Sequence, residues 1–99
     1  MQHPSQIDVW QFEWDDENLE HQTHGLTPAI AELVKDNSPE FFRNKPGKTG
    51  SHQMIGPDIN GRFWTVIILA TPYKGRWRPI TGWPSDANEI QKYRYARAG

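Results

Sequence analysis

Arg76, Trp77 and Arg78 follow directly on a Pro72-Tyr73-Lys74-Gly75 turn. Two arginines at i and i+2 fall on one face of an extended strand, and guanidinium is well suited to holding an oxyanion. Thr65 and Thr71 on the preceding strand share that face and add hydroxyls. The arginines read either as an anion site or as partners of the acidic N-terminal part. His21 and His24 stand three apart, on one face of a helix, and His52 lies further along. Together they could ligate zinc, but no spacing motif ties His52 to the other two, and no metal is assigned. A lone histidine can instead serve as general acid or base near neutral pH. No Gly-rich phosphate loop, serine elbow or HExxH motif is present.

The elements that must position these residues can be read in order. Ile7 to Trp14 alternates apolar and polar residues and predicts a strand. Asp15 is a good N-cap for a short helix ending at Gly25. Thr27-Pro28 opens a second helix with Ile30, Leu33 and Val34 as its buried stripe. Glu40 to Arg43 reads as a short strand, and Asn44 to Ser51 as a basic loop. His52 to Gly56 and Arg62 to Thr71 are strands joined through Asn60-Gly61, a hairpin signal. Arg76 to Trp83 completes the sheet, and Ser85 or Asp86 caps a terminal helix. Strand alternation across an even-length turn puts Trp64, Val66, Ile68 and Ala70 with Trp77, Pro79, Thr81 and Trp83 on a core face. Phe63, Thr65, Ile67, Leu69 and Thr71 share the other face with Arg76, Arg78, Ile80 and Gly82. Of the five tryptophans, Trp10 or Trp14, Trp64 and Trp83 are expected inside. Trp77, nearest the tip, is expected to be exposed and able to stack on a base.

The expected fold class is α+β: one small domain over residues 1–99, with residues 1–6 flexible. An antiparallel sheet of about four strands packs against two N-terminal helices and a C-terminal helix. The chain has no cysteine, which removes disulfides and thiolate metal sites and suits a cytoplasmic location. No apolar run approaches the ~20 residues of a membrane span, and the first residues lack the pattern of a secretory signal. The net charge of −1 hides a division. Residues 1–42 carry nine acids against Lys35 alone, while residues 43–99 carry ten Lys/Arg against Asp58, Asp86 and Glu89. Either the halves neutralise each other in the fold, or the basic one faces an anionic partner.

Phe12-Glu13-Trp14-Asp15, His24-Gly25-Leu26-Thr27-Pro28, Ile55-Gly56, Gly61-Arg62 and Arg76-Trp77-Arg78-Pro79-Ile80-Thr81 form an ordered series. From about Phe12 to Tyr93 the chain resembles the BrnT-type toxins of bacterial type II toxin–antitoxin modules. The resemblance implies a compact fold similar to the RelE/ParE-like ribonuclease toxins. It further implies RNA cleavage without a metal or other cofactor, and neutralisation by a ribbon-helix-helix antitoxin. The assembly would be a homodimer or a toxin–antitoxin hetero-oligomer. In such chemistry the 2′-OH attacks phosphorus, so the protein supplies a base, an acid and positive charge. By this resemblance Arg78, Arg62 and His24 belong to the catalytic set, and His52 is the other candidate acid or base. Arg76, Lys45, Lys48, Lys74 and Trp77 then bind RNA. Many members continue the last strand as Ile-Ser-Ala-Arg-Arg, where this chain has Ile80-Thr81-Gly82-Trp83-Pro84. The two missing basic residues motivate a second reading, a catalytically inactive protein on the same fold that binds a small partner protein.

Overall fold

The computed structural model describes residues 2–20 and 24–98, except the side chain of Glu20. Its elements are β1 (Gln11–Phe12), α1 (Asp16–Glu20), α2 (Pro28–Lys35), β2 (Glu40–Arg43), β3 (His52–Pro57), β4 (Phe63–Ala70), β5 (Arg76–Pro84) and α3 (Ala87–Ala98). The fold is α+β, as expected. The sheet has five strands in the order β1-β5-β4-β3-β2, and β1 runs parallel to β5, so it is mixed rather than antiparallel throughout. No helix among the described residues is long and apolar enough to cross a membrane.

The strand expected over Ile7 to Trp14 shrinks to two residues. Trp10 and Gln11 both donate to Gly75 O, and Glu13 N donates to Trp77 O. Asp15 then turns the chain. Its Oδ1 accepts from Glu17 N and Asn18 N, while Asn18 Oδ1 accepts from Asp15 N, a reciprocal cap that starts α1. Asn18 Nδ2 reaches Pro79 O and ties α1 to β5. Before β1, Ile7 and Val9 pack on the core without ladder bonds. The segment read as flexible is tied down in part: Ser5 N donates to Phe41 O, and Gln2 Nε2 to Arg43 O.

Helix α2 opens as its sequence suggests, with Thr27 Oγ1 accepting from Ile30 N and Pro28 in the first turn. Its buried residues are Ala31 and Val34, with Ile30 partly buried. Leu33, expected in the stripe, is exposed. This layer buries Phe12, Leu26, Met54, Trp64, Val66, Ile68 and Trp77 on one sheet face. On the opposite face α3 packs over β2 and β3, where Phe42, Ile55 and Tyr93 form a smaller cluster with Phe63.

The hairpin β4–β5 carries the main correction. Near its tip the expected faces hold: Ala70 pairs with Trp77, Leu69 with Arg78 and Ile68 with Pro79. A bulge follows, because Ile67 pairs with Thr81 and Ile80 has no opposite residue. The extra residue reverses the alternation. Thr81 and Trp83 move to the α3 face, and Gly82 takes the helix α1/α2 face beside Val66. There a Cβ on Gly82 would meet Leu26 Cδ2 and lie 2.8 Å from Thr65 O. Only a residue without a side chain fits under Leu26. Trp83 is therefore half-buried on the far face and is no partner of Trp64.

Candidate ligand cleft

Helix α3 covers only the β2–β3 half of its face. The uncovered half, the 44–51 loop and the first turns of α3 enclose a cleft of about 720 Å³. Ile67, Thr81 and Trp83 come from the sheet, Lys45 and Lys48 from the loop, and Glu89 and Lys92 from the helix.

The loop is held by Asn44. Its Nδ2 donates to Thr49 O and Gly50 O, and its Oδ1 accepts from Lys45 N and Gln53 Nε2. Gly50 has φ +88°, and a Cβ there would collide with Ile67 Cγ2, so glycine lets the loop lie on the sheet. The helix start is closed by a capping box. Asp86 N donates to Glu89 Oε1 and Glu89 N to Asp86 Oδ1, each at 2.8 Å. The Glu89 carboxylate also accepts from Trp83 Nε1 at 3.1 and 3.2 Å, which fixes the indole in the wall. Lys92 Nζ lies 3.0 Å from Gln53 Oε1 and 3.3 Å from Gln2 Oε1, over the Phe42 ring. Burial pulls its pKa below the usual lysine value. Glu89 and Asp86 oppose that shift, and Lys45 adds to it.

The sequence-expected catalytic residues do not converge, and the expected RNA-binding residues fall in two places: Lys45 and Lys48 line this cleft, whereas Lys74, Arg76 and Trp77 line a smaller pocket of about 270 Å³ at the hairpin tip. Arg78 makes a bidentate pair with Asp15, both bonds at 2.7 Å, and lies 3.4 Å from Glu13 and 3.9 Å from Glu17. Arg76 Nε is 3.2 Å from Glu13 Oε2. Of the two readings for these arginines, pairing with the acidic segment is the one found. The Arg78 bonds lower the Asp15 pKa to about 2, and the carboxylate in turn raises that of Arg78. His52 lies across the sheet, buried with its ring edge-on to Trp77 at 5.1 Å and Nδ1 3.0 Å from Ser51 Oγ. Burial, helped by Arg43, lowers its pKa, so the imidazole is neutral at neutral pH.

The remaining residues lie outside the cleft. Arg62 sits at the β3–β4 turn with its guanidinium 4.7 Å over the Trp64 ring. His24 is exposed at φ +59°, in the linker where a Cβ on Gly25 would be 3.8 Å from Trp64 Cη2. Lys74 is at the hairpin tip, 5.9 Å from the Trp10 ring. Trp77, expected outside, is buried with Nε1 donating to Asp8 O, and the exposed tip aromatics are Trp10 and Tyr73. Only Lys45 and Lys48 of the expected set line the cleft. Lys92 and Gln53 were missed. Their signal was strand alternation at Gln53, beside His52, and the helical i, i+3 step from Glu89 to Lys92. His21 lies outside the described residues, and among those residues no three His, Asp or Glu side chains gather as metal ligands.

Compared with protein-family models, curated proteins and solved structures, the chain matches none.

Proposed function

We propose that this chain is a non-cleaving binding protein on a toxin-like α+β fold, engaging a small partner protein and leaving RNA intact. The observation that supports this reading is the separation of Arg78 from His52. Arg78 is neutralised by Asp15 and Glu13 on one sheet face, while His52 is packed against Trp77 on the other. Phosphoryl transfer to a 2′-OH needs a cation and an acid/base group within hydrogen-bond reach of the same phosphate. Trp10, Tyr73 and Leu69 are exposed large apolar side chains near the tip of the β4–β5 hairpin, and the two aromatics are of the kind that anchor protein interfaces.

The ribonuclease reading is separated from this one by incubating purified chain with labelled single-stranded RNA in chelator. The expected result is intact RNA. Cleavage that disappears in an Arg78→Ala variant would overturn the proposal. A positive arm co-expresses the chain with the small partner protein that this reading expects to be encoded beside it. Co-elution on gel filtration, weakened about tenfold or more by a Tyr73→Ser/Leu69→Ser double variant, is expected.

A further inference from the structure

We propose that the cleft between the 44–51 loop and α3 is a binding site for one small organic phosphate, of the nucleoside monophosphate class. Its phosphate lies among Lys45, Lys48 and Lys92, and its planar body lies against Trp83 and Ile67. This site stands apart from the partner-binding reading and rests on its own observations.

Three ammonium groups border one cleft, and among the described residues none of them is within ion-pair distance of a carboxylate. The two acids of the same cleft are occupied elsewhere. Asp86 and Glu89 cap each other's backbone N–H, and Glu89 also holds the Trp83 indole. Lys92 is the telling member. Its ammonium is half-buried against Phe42 and satisfied only by neutral amide oxygens. A partly desolvated cation whose nearby carboxylates, Glu89 and Asp86, are not in ion-pair contact is costly, and a bound dianion lowers that cost.

The shape points to a ligand with a body as well as a charge. A cleft of about 720 Å³ is in the range of small-molecule sites, and polar and charged side chains surround the two apolar residues of its lining, Ile67 and Trp83. The bonds of Trp83 to Glu89 and of Asn44 to the loop pre-organise both walls before a ligand arrives. Phosphate suits several ammonium groups lining one cleft better than a carboxylate does, having more oxygens and more charge.

The test is a titration of isotope-labelled chain, followed by amide NMR, with adenosine monophosphate, inorganic phosphate, adenosine and a short single-stranded RNA. Saturable shifts at Lys45, Lys48, Gln53 and Lys92 are expected with the monophosphate, with an affinity of about 1 mM or tighter. Inorganic phosphate and adenosine bind about tenfold more weakly or not at all. Lys92→Met and Lys48→Met each weaken the monophosphate about tenfold, whereas Lys74→Met, at the hairpin tip, does not. Lys48 is exposed on the loop, so its variant keeps the test meaningful if Lys92→Met fails to fold. Absence of saturable shifts, shifts confined to other regions, or unchanged affinity in the Lys48 variant would overturn the site. Equal binding of inorganic phosphate would overturn the role of Trp83. Binding of the RNA alone would overturn the small-molecule assignment.

Discussion

Replacing Gly82 by alanine distinguishes the observed hairpin register from the one that simple alternation suggests. On an open sheet face, Gly→Ala in a strand is neutral or stabilises by about 0.5–1 kcal/mol, because the unfolded chain loses freedom. In the structure the new Cβ would sit 2.8 Å from Thr65 O and 3.3 Å from Val66 Cα, besides touching Leu26 Cδ2. Leu26 is buried and can turn only into packed core. Thr65 belongs to β4, which is laddered on both sides by β3 and β5, so its carbonyl cannot move without breaking pairs. Two contacts this short, one of them to fixed backbone, put the cost in the upper half of the usual range of about 1–3 kcal/mol for overpacking, which outweighs the entropy gain and leaves a net loss of about 1–2 kcal/mol. For a domain of this size that lowers Tm by roughly 4–16 °C. Urea or thermal unfolding measures it directly. A Gly82→Ala variant as stable as the parent, or more so, would refute the bulge at Ile80 and return Trp83 to the core face.

Two pH predictions follow from the ion pair and from the buried imidazole. Asp15 titrates near 2 in the folded chain instead of at 3.8, so its contribution to stability is complete above 3.8 and is lost as pH falls through about 2. Carboxyl NMR should show that low midpoint, and Arg78→Met should return it toward the ordinary range. His52 behaves oppositely to a paired histidine. Its folded pKa lies below 6.5, so the unfolded chain binds the proton first and stability falls as pH drops below 6.5. Imidazole NMR should find the His52 midpoint below 6.5, and a midpoint at or above 6.5 would contradict its burial.

Local chemistry was legible wherever one residue's own bonds decide the outcome. Thr27-Pro28 starts α2, Asp15 caps α1, and Gly61 at φ +82° turns the β3–β4 hairpin. The turn is reinforced by Asp58, whose carboxylate accepts from Asn60 N, Arg62 N and Trp64 Nε1. Helix–strand order and the α+β class follow from these signals and from the long apolar run of β4. The site was legible only in part, because Lys45 and Lys48 are marked by a basic loop, whereas Lys92 enters by the packing of α3. The pairing of Arg78 with Asp15 could be offered only as an alternative, since it joins groups 63 residues apart.

The sequence alone determined the order of most strands and helices, though not the extent of β1, where α1 and α2 are capped, and that acid and base are divided between the two parts of the chain. Those properties reside in a few neighbouring residues, whose backbone preferences and hydrogen bonds act over one or two turns. Only the tertiary structure decided which faces those residues occupy. One unpaired residue at Ile80 reverses the end of β5, because side chains alternate with a period of two and carry no memory of the intended face. The parallel docking of β1 then sets Glu13 and Asp15 against Arg78, and α3, lying over β2 and β3, leaves Trp83 as a cleft wall. Long-range placement depends on what packs where, and that is settled by the whole fold at once.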